Sequence, residues 1–160
     1  MFFRPEQIKN INPLGEYFIS DGSWSMIDLV EHMIIYAGHN ISLWICTYSL
    51  SEQSISKLDV LMEENRIHDV EVYISREYAG KKPDVAIYLS NVAHRVFTCD
   101  SHAKMIIIDG DMSTVLITGS SNFSRNRHIE LGVINIGNHW AKHIYEIKKF
   151  FKDNSERFEP

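Results

Sequence analysis

Apolar positions along this chain fall into two alternating rhythms. After Ser25, with Asp28 three residues on, Met26, Val30, Met33 and Ala37 recur at helical spacing up to Gly38, which predicts a capped helix. ISLWICTY (41–48) is almost continuously apolar and β-rich, the pattern of a strand covered on both faces. Ser51 can cap a second helix that turns Ile55, Leu58, Leu61 and Met62 inward. DVEVYIS (69–75) alternates as a strand does, and Pro83 suits the first turn of a helix carrying Val85, Tyr88, Leu89 and Val92. RVFTC (95–99), HAKMIIID (102–109), TVLITG (114–119) and IELGVINIG (129–137) then follow as strands. Asn138 is placed to cap a last helix with Trp140, Ala141, Ile144, Ile147 and Phe151 on its inner side.

The order is βαβα, then a β-rich run, then one helix. It predicts an α/β fold: a single layered domain over residues 1–160, with a mixed β-sheet flanked by helices. The 160 residues are 44% hydrophobic, enough for one core, and no linker composition or internal repeat marks a boundary. The start, MFFRPEQIKNINP, lacks the apolar stretch of a signal peptide, and no uncharged run is long enough to span a bilayer. The expectation is a cytoplasmic protein with no stable membrane association. Cys46 and Cys99 match no zinc or redox spacing and read as buried thiols. A net charge of −5 argues against a general coat for duplex DNA, yet allows a local basic site on an acidic body.

One strand does not fit a purely structural reading. In SHAKMIIID (101–109), period-two alternation places His102, Lys104, Ile106 and Ile108 on one side, and Ala103, Met105, Ile107 and Asp109 on the other. An imidazole and an ammonium beside apolar residues are costly unless an anion meets them. GDMS is a turn-forming stretch, so 102–109 and 114–119 should pair as a hairpin. If Asp109 faces Thr114, Lys104 faces Gly119 and His102 faces Ser121. A tighter turn at Asp109–Gly110 would instead set both polar residues against Ile117 and Val115, without partners. The first register is preferred because it collects His102, Lys104, Gly119, Ser120 and Asn122 at one end of a sheet. A point charge, an amide, a hydroxyl and backbone N–H groups are the donors a phosphoryl group needs. Histidine near neutral pH is a nucleophile or proton carrier.

HAKMIIID resembles the His-x-Lys-x4-Asp signature of the phospholipase D superfamily, and GSSN (119–122) is similar to its Gly-Ser-x-Asn element. Glu130 resembles the acidic residue that follows them. All three stand in the right order within residues 102–130. The resemblance implies a phospholipase D-like fold and a metal-independent phosphodiesterase that needs no cofactor. On matching positions it makes His102 the nucleophile that forms a covalent phosphohistidine. Lys104 and Asn122 hold phosphate oxygens, Gly119 and Ser120 support that pocket, and Glu130 orients His102. Asp109, on the opposite face, is expected to be structural.

In-line displacement needs a nucleophile on one side of phosphorus and an acid on the other. His39, His68, His94, His128, His139 and His143 all lack a lysine two positions later, so the chain carries one copy of the motif. Larger members resemble two fused copies. A single copy implies a homodimer with a shared site, as in the small dimeric nuclease branch. The favoured substrate is nucleic acid, DNA or RNA, cleaved as by an endonuclease. Phospholipid head-group transfer and a non-catalytic dimeric binding module are the alternatives. Arg125 and Arg127, with His128, read either as contacts to flanking phosphates or as an ordinary polar connection. Trp24, Tyr48 and Phe123 read as base-stacking candidates or as packing. No histidine has ligand spacing such as His-Glu-x-x-His, so no metal is expected.

Overall fold

The computed structural model describes residues 16–20, 24–124 and 128–160. Its centre is a pair of βαβ units: parallel strands β2 (Ser42–Thr47), β3 (Asp69–Ser75) and β4 (Arg95–Cys99). They are joined by α2 (Glu52–Glu63) and by the consecutive helices α3 (Arg76–Lys81) and α4 (Pro83–Val92). Antiparallel to β2 runs β5 (Met105–Asp109), followed outward by β6 (Thr114–Gly119), β7 (Glu130–Ile136) and β1 (Glu16–Ser20). A short β8 (Glu156–Arg157) closes the far edge, giving the order β1-β7-β6-β5-β2-β3-β4-β8.

Helices lie on both faces of this mixed sheet. On one, α1 (Met26–Ala37), α2 and α4 bury Met33, Leu58 and Leu89 against Leu43, Ile45, Val72, Ile106 and Ile108. On the other, α5 (Ala141–Asp153) sets Ile144, Ile147 and Phe151 against Trp44, Tyr73, Ile107 and Leu116. The isoleucines of β5 thus divide between the faces by strand alternation. Each such side chain contributes about 1.5–3 kcal/mol when taken out of water, so cover on both faces explains the unbroken apolar run of β2.

The helix starts follow the sequence. Ser25 and Asp28 form a reciprocal capping box at α1, and the Ser51 side chain accepts from the Ser54 N–H at α2. Asn138 does not cap α5. Its Oδ1 accepts from the Thr114 N–H at 3.2 Å, and residues Asn138–Trp140 form a 3-10 turn instead. Ala141, expected inward, is exposed. The strands β1 and β8 and the helix α3 are additions that local pattern does not announce. The two strands are short, and neighbouring strands supply their ladders.

The hairpin takes the preferred register, with Asp109 opposite Thr114 and Met105 opposite Thr118. Its tip docks on the C-terminus of α1. The N–H groups of Met112 and Ser113 donate to Ala37 O at 3.0 and 3.2 Å, and the Ser113 hydroxyl donates to Tyr36 O. These bonds satisfy carbonyls that a helix end leaves open. The approach is so close that a Cβ on Gly110 would lie 2.4 Å from Ala37 O. Gly110→Ala is therefore expected to destabilise the fold by about 1–3 kcal/mol, read as a fall in thermal midpoint of several degrees. An unchanged midpoint would mean that the tip docks loosely.

Candidate active site

Because β2 and β6 run one way and β5 and β7 the other, four chain segments meet at one end of the sheet. They are the exits of β2 and β6 and the entries of β5 and β7. The exit of β3 leads into α3 at the same end. His102 and Lys104 precede β5, Gly119 closes β6, Ser120 and Asn122 follow it, and Glu130 opens β7.

Residues 101–104 lie outside the ladder, so the strand is shorter than the expected 102–109. The last β2–β5 pair is Cys46 with Met105, after which the chain peels away. The Ser101 hydroxyl accepts from the Ala103 N–H at 3.0 Å and shapes the turn. The result leaves His102 exposed at the rim, its ring stacked on Tyr48 with centroids 5.0 Å apart and planes 22° apart. Lys104, half-buried, donates to the His102 carbonyl at 2.7 Å. An ammonium carries three donors, so this bond leaves others for an anion.

Gly119 continues the hairpin by donating its N–H to Lys104 O at 3.2 Å. A Cβ there would meet Leu131 O at 2.7 Å, so the close approach of β7 calls for glycine as much as the open pocket does. Ser120 is tied to β7: its hydroxyl donates to the Glu130 carboxylate and accepts the Leu131 N–H at 3.1 Å. As placed, its proton holds Glu130.

Asn122 is oriented without ambiguity. Its Oδ1 lies 3.2 Å from both the Thr47 hydroxyl and the Tyr48 N–H. A backbone N–H can only donate, so the amide oxygen faces it and the NH2 group is presented away from β2. Phe123, next in the chain, is 2% exposed and exchanges bonds with the turn after β2. Its N–H donates to Ser49 O, and its carbonyl accepts from Ser51 N at 3.2 Å and the Ser54 hydroxyl at 2.5 Å. Phe123 is packing, and Trp24 lies against Phe18 at 5.7 Å. Of the three aromatic candidates, only Tyr48 faces the site.

Two neighbours, Thr47 and Glu77, escaped the sequence reading, whereas Tyr48 was singled out there only as a base-stacking candidate. Thr47 and Tyr48 sit at the carboxyl end of a parallel strand, a position that favours sites, and that was the signal available. Glu77, in the first turn of α3, accepts from Lys81 at 2.5 Å; Lys81, and then Tyr48, keep its carboxyl below the usual range. The Tyr48 phenol is pushed up in turn, first by Glu77. Cys46 touches the same segment, its thiol 3.6 Å from Ala103 O. The neighbouring Cys99 thiol and then burial push the Cys46 thiol well above its usual range. The two cysteines stand on strands separated by β3, about 9.6 Å between backbones, too far for a disulfide.

Asp109 lies at the opposite end of β5, roughly 20 Å of strand from His102, and accepts the Thr114 hydroxyl at 2.6 Å. Arg125 and Arg127 fall outside the described residues. Among the described residues no group of three His, Cys, Asp or Glu side chains is arranged to hold a metal ion. The donors that do converge are an imidazole, an ammonium and an amide, a set for an oxyanion.

No family profile and no curated relative matches the sequence. Solved structures do match. The phospholipase D family member Nuc from Salmonella typhimurium superposes with a TM-score of 0.66 at 20% identity, over 91% of this chain and 98% of that one. The chain has the phospholipase D fold. Phosphatidylserine synthase from Haemophilus influenzae Rd KW20 gives 0.65 at 11% identity, over 90% of this chain and 40% of that one. Polyphosphate kinase from Porphyromonas gingivalis gives 0.62 at 15% identity, over 89% of this chain and 26% of that one. The phospholipase D fold thus recurs in proteins named for different phosphoryl chemistry, and the residues at the sheet end must select among them.

Asn122→Asp tests the pocket directly. It keeps the oxygen that Thr47 and Tyr48 need and replaces the outward NH2 with a carboxylate oxygen. The thermal midpoint should hold while inorganic phosphate binds about tenfold more weakly or worse, measured by titration calorimetry. Undiminished phosphate binding would place the anion elsewhere.

Proposed function

We propose that this protein is a metal-independent phosphodiesterase that cleaves nucleic acid through a covalent phosphohistidine on His102. The observation that carries the reading is the convergence of His102, Lys104 and Asn122 at one sheet end, with the Asn122 amide fixed as a donor. The His102 imidazole attacks phosphorus and the bond to the leaving ester oxygen breaks. Lys104 and the Asn122 amide hold the non-bridging oxygens, where negative charge gathers in the transition state. Water then attacks the phosphohistidine, gives up a proton, and releases His102 with a phosphate monoester. Glu130, gripped by Ser120, is assigned to orient His102, and Arg125 and Arg127 to flanking phosphates.

The leaving oxygen needs a proton that His102 cannot give while it attacks. We assign that role to His102 of the partner subunit, in a homodimer that joins two pockets into one. An uncovered apolar strip supports the pairing. Tyr17 and Leu131 are 74% and 53% exposed on the edge strand β1 and on its neighbour β7, and Ile129, just before β7, is 71% exposed. Leu131 and Ile129 alternate with Glu130 onto the other face, at the same end of β7 as the site. Tyr17→Asp is expected to give a monomer in light scattering with loss of cleavage. A fully active monomer would overturn the shared site.

The phosphatidylserine synthase match gives a second reading, transfer on phospholipid head groups, so the decisive assay carries both substrates. Labelled single-stranded DNA, duplex DNA, RNA and phospholipid vesicles are incubated with excess chelator, using wild type and His102→Ala. The expected result is nucleic-acid cleavage by wild type and a loss of about ten-thousand-fold in the variant, since nucleophile and acid vanish together. Turnover of vesicles alone would move the assignment to lipid. Near-normal rates in His102→Ala would refute the mechanism.

A further inference from the structure

We propose that Tyr48 is a positioning residue for His102, anchored through Asn122; the inference rests on the phosphodiesterase reading above. His102 is exposed and sits outside the ladder, so its own segment does little to fix its ring. Tyr48 supplies the missing restraint by stacking on the imidazole at 5.0 Å and 22°. A face contact limits both torsions of the histidine yet leaves its edge free, and the edge carries both ring nitrogens. One of them is thus left to attack phosphorus and the other to Glu130, the residue assigned above to orient the ring. The π-face also favours the positive charge the ring acquires as it bonds to phosphorus.

Tyr48 can do this because its backbone is held. Its N–H donates to Asn122 Oδ1 at 3.2 Å, which ties its backbone to the phosphate-binding amide. Its phenol is pushed up by the Glu77 carboxylate, which is in turn held by Lys81 one helical turn on, at 2.5 Å. Tyr78 packs beside it at 6.2 Å and is itself fixed by its hydroxyl on Leu50 O. One residue therefore sets the spacing between nucleophile and amide, and the first turn of α3 steadies it.

The test uses the full chain with isotope-labelled histidines and bis(p-nitrophenyl) phosphate as the diester. In Tyr48→Leu the His102 ring-proton resonances should shift downfield as shielding by the phenol ring is lost. Its kcat should fall about 10- to 100-fold with KM little changed, while the backbone amide spectrum stays that of the folded chain. Tyr48→Phe keeps the ring, so it should retain the shielding and recover most of kcat; Glu77→Gln should match Tyr48→Phe. Unmoved His102 resonances in Tyr48→Leu, or a KM effect alone, would overturn the inference. If wild type leaves the diester intact, the phosphodiesterase reading fails, and the resonances then decide the stack by themselves.

Discussion

Burial of Phe123 is the contact on which the site depends. β6 ends at Gly119, and the chain beyond it could leave the sheet in any direction. Instead Phe123 inserts into the main core and its backbone bonds the turn after β2 on both sides. A phenylalanine taken wholly out of water contributes about 1.5–3 kcal/mol, and the bonds to Ser49, Ser51 and Ser54 add to it. That anchor brings Asn122 onto Thr47 and Tyr48. Without it, His102 and Lys104 would stand alone before β5, with no amide facing them. The short Gly-Ser-x-Asn element is therefore as much a packing device as a set of donors: its glycine admits β7, its serine grips Glu130, and the residue after its asparagine enters the core.

Much of this was legible in the residues. The strand runs of β3, β4 and β6 coincide with their sequence patterns, and both serine caps hold, because these signals are local. The hairpin register was legible too, since only one pairing gave the polar residues company. What escaped depends on contacts between distant segments. β1 is short, and what makes it a strand is β7, with Phe18 filling the space over Gly132 that a side chain would occupy. Asn138 has the chemistry of a cap, but an unpaired N–H on Thr114 lies within reach and wins it. His102 and Lys104 were placed within the strand because alternation continues through them; the ladder with β2 stops at Cys46 and Met105, although β2 itself runs on to Thr47. Phe123 read more readily as packing than as a base platform, but nothing local says that it packs on the turn after β2.

Electrostatics explains how an acidic chain can present an anion site. The carboxylates nearest the pocket are engaged: Glu130 accepts from Ser120, and Glu77 accepts from Lys81. Their charge is thereby turned to hydrogen bonds within the protein. Lys104 points its ammonium back at a carbonyl, which fixes its place without neutralising it. Local charge at the sheet end is thus decoupled from the net charge of −5, which acts at a distance and is screened beyond roughly 8 Å in physiological salt.

The hairpin that carries the motif is clamped at both ends, and this bears on precision. At the far end, Gly110–Ser113 closes the C-terminus of α1, with Asp109 bonded to Thr114 and His39 donating its N–H to Asp111 at 2.7 Å. At the near end, Gly119 pairs with Lys104 and Phe123 is buried. Between the clamps lie Ile106, Ile107 and Ile108, fully enclosed and packed from both faces. A hairpin fixed only at its tip would pivot there, and a small rotation would become a displacement of an ångström or more at its open end. Misplacement on that scale can cost a hundredfold in rate. Asp109 thus belongs with His102 and Lys104 for a mechanical reason: it fixes the end of the strand that the chemistry does not touch.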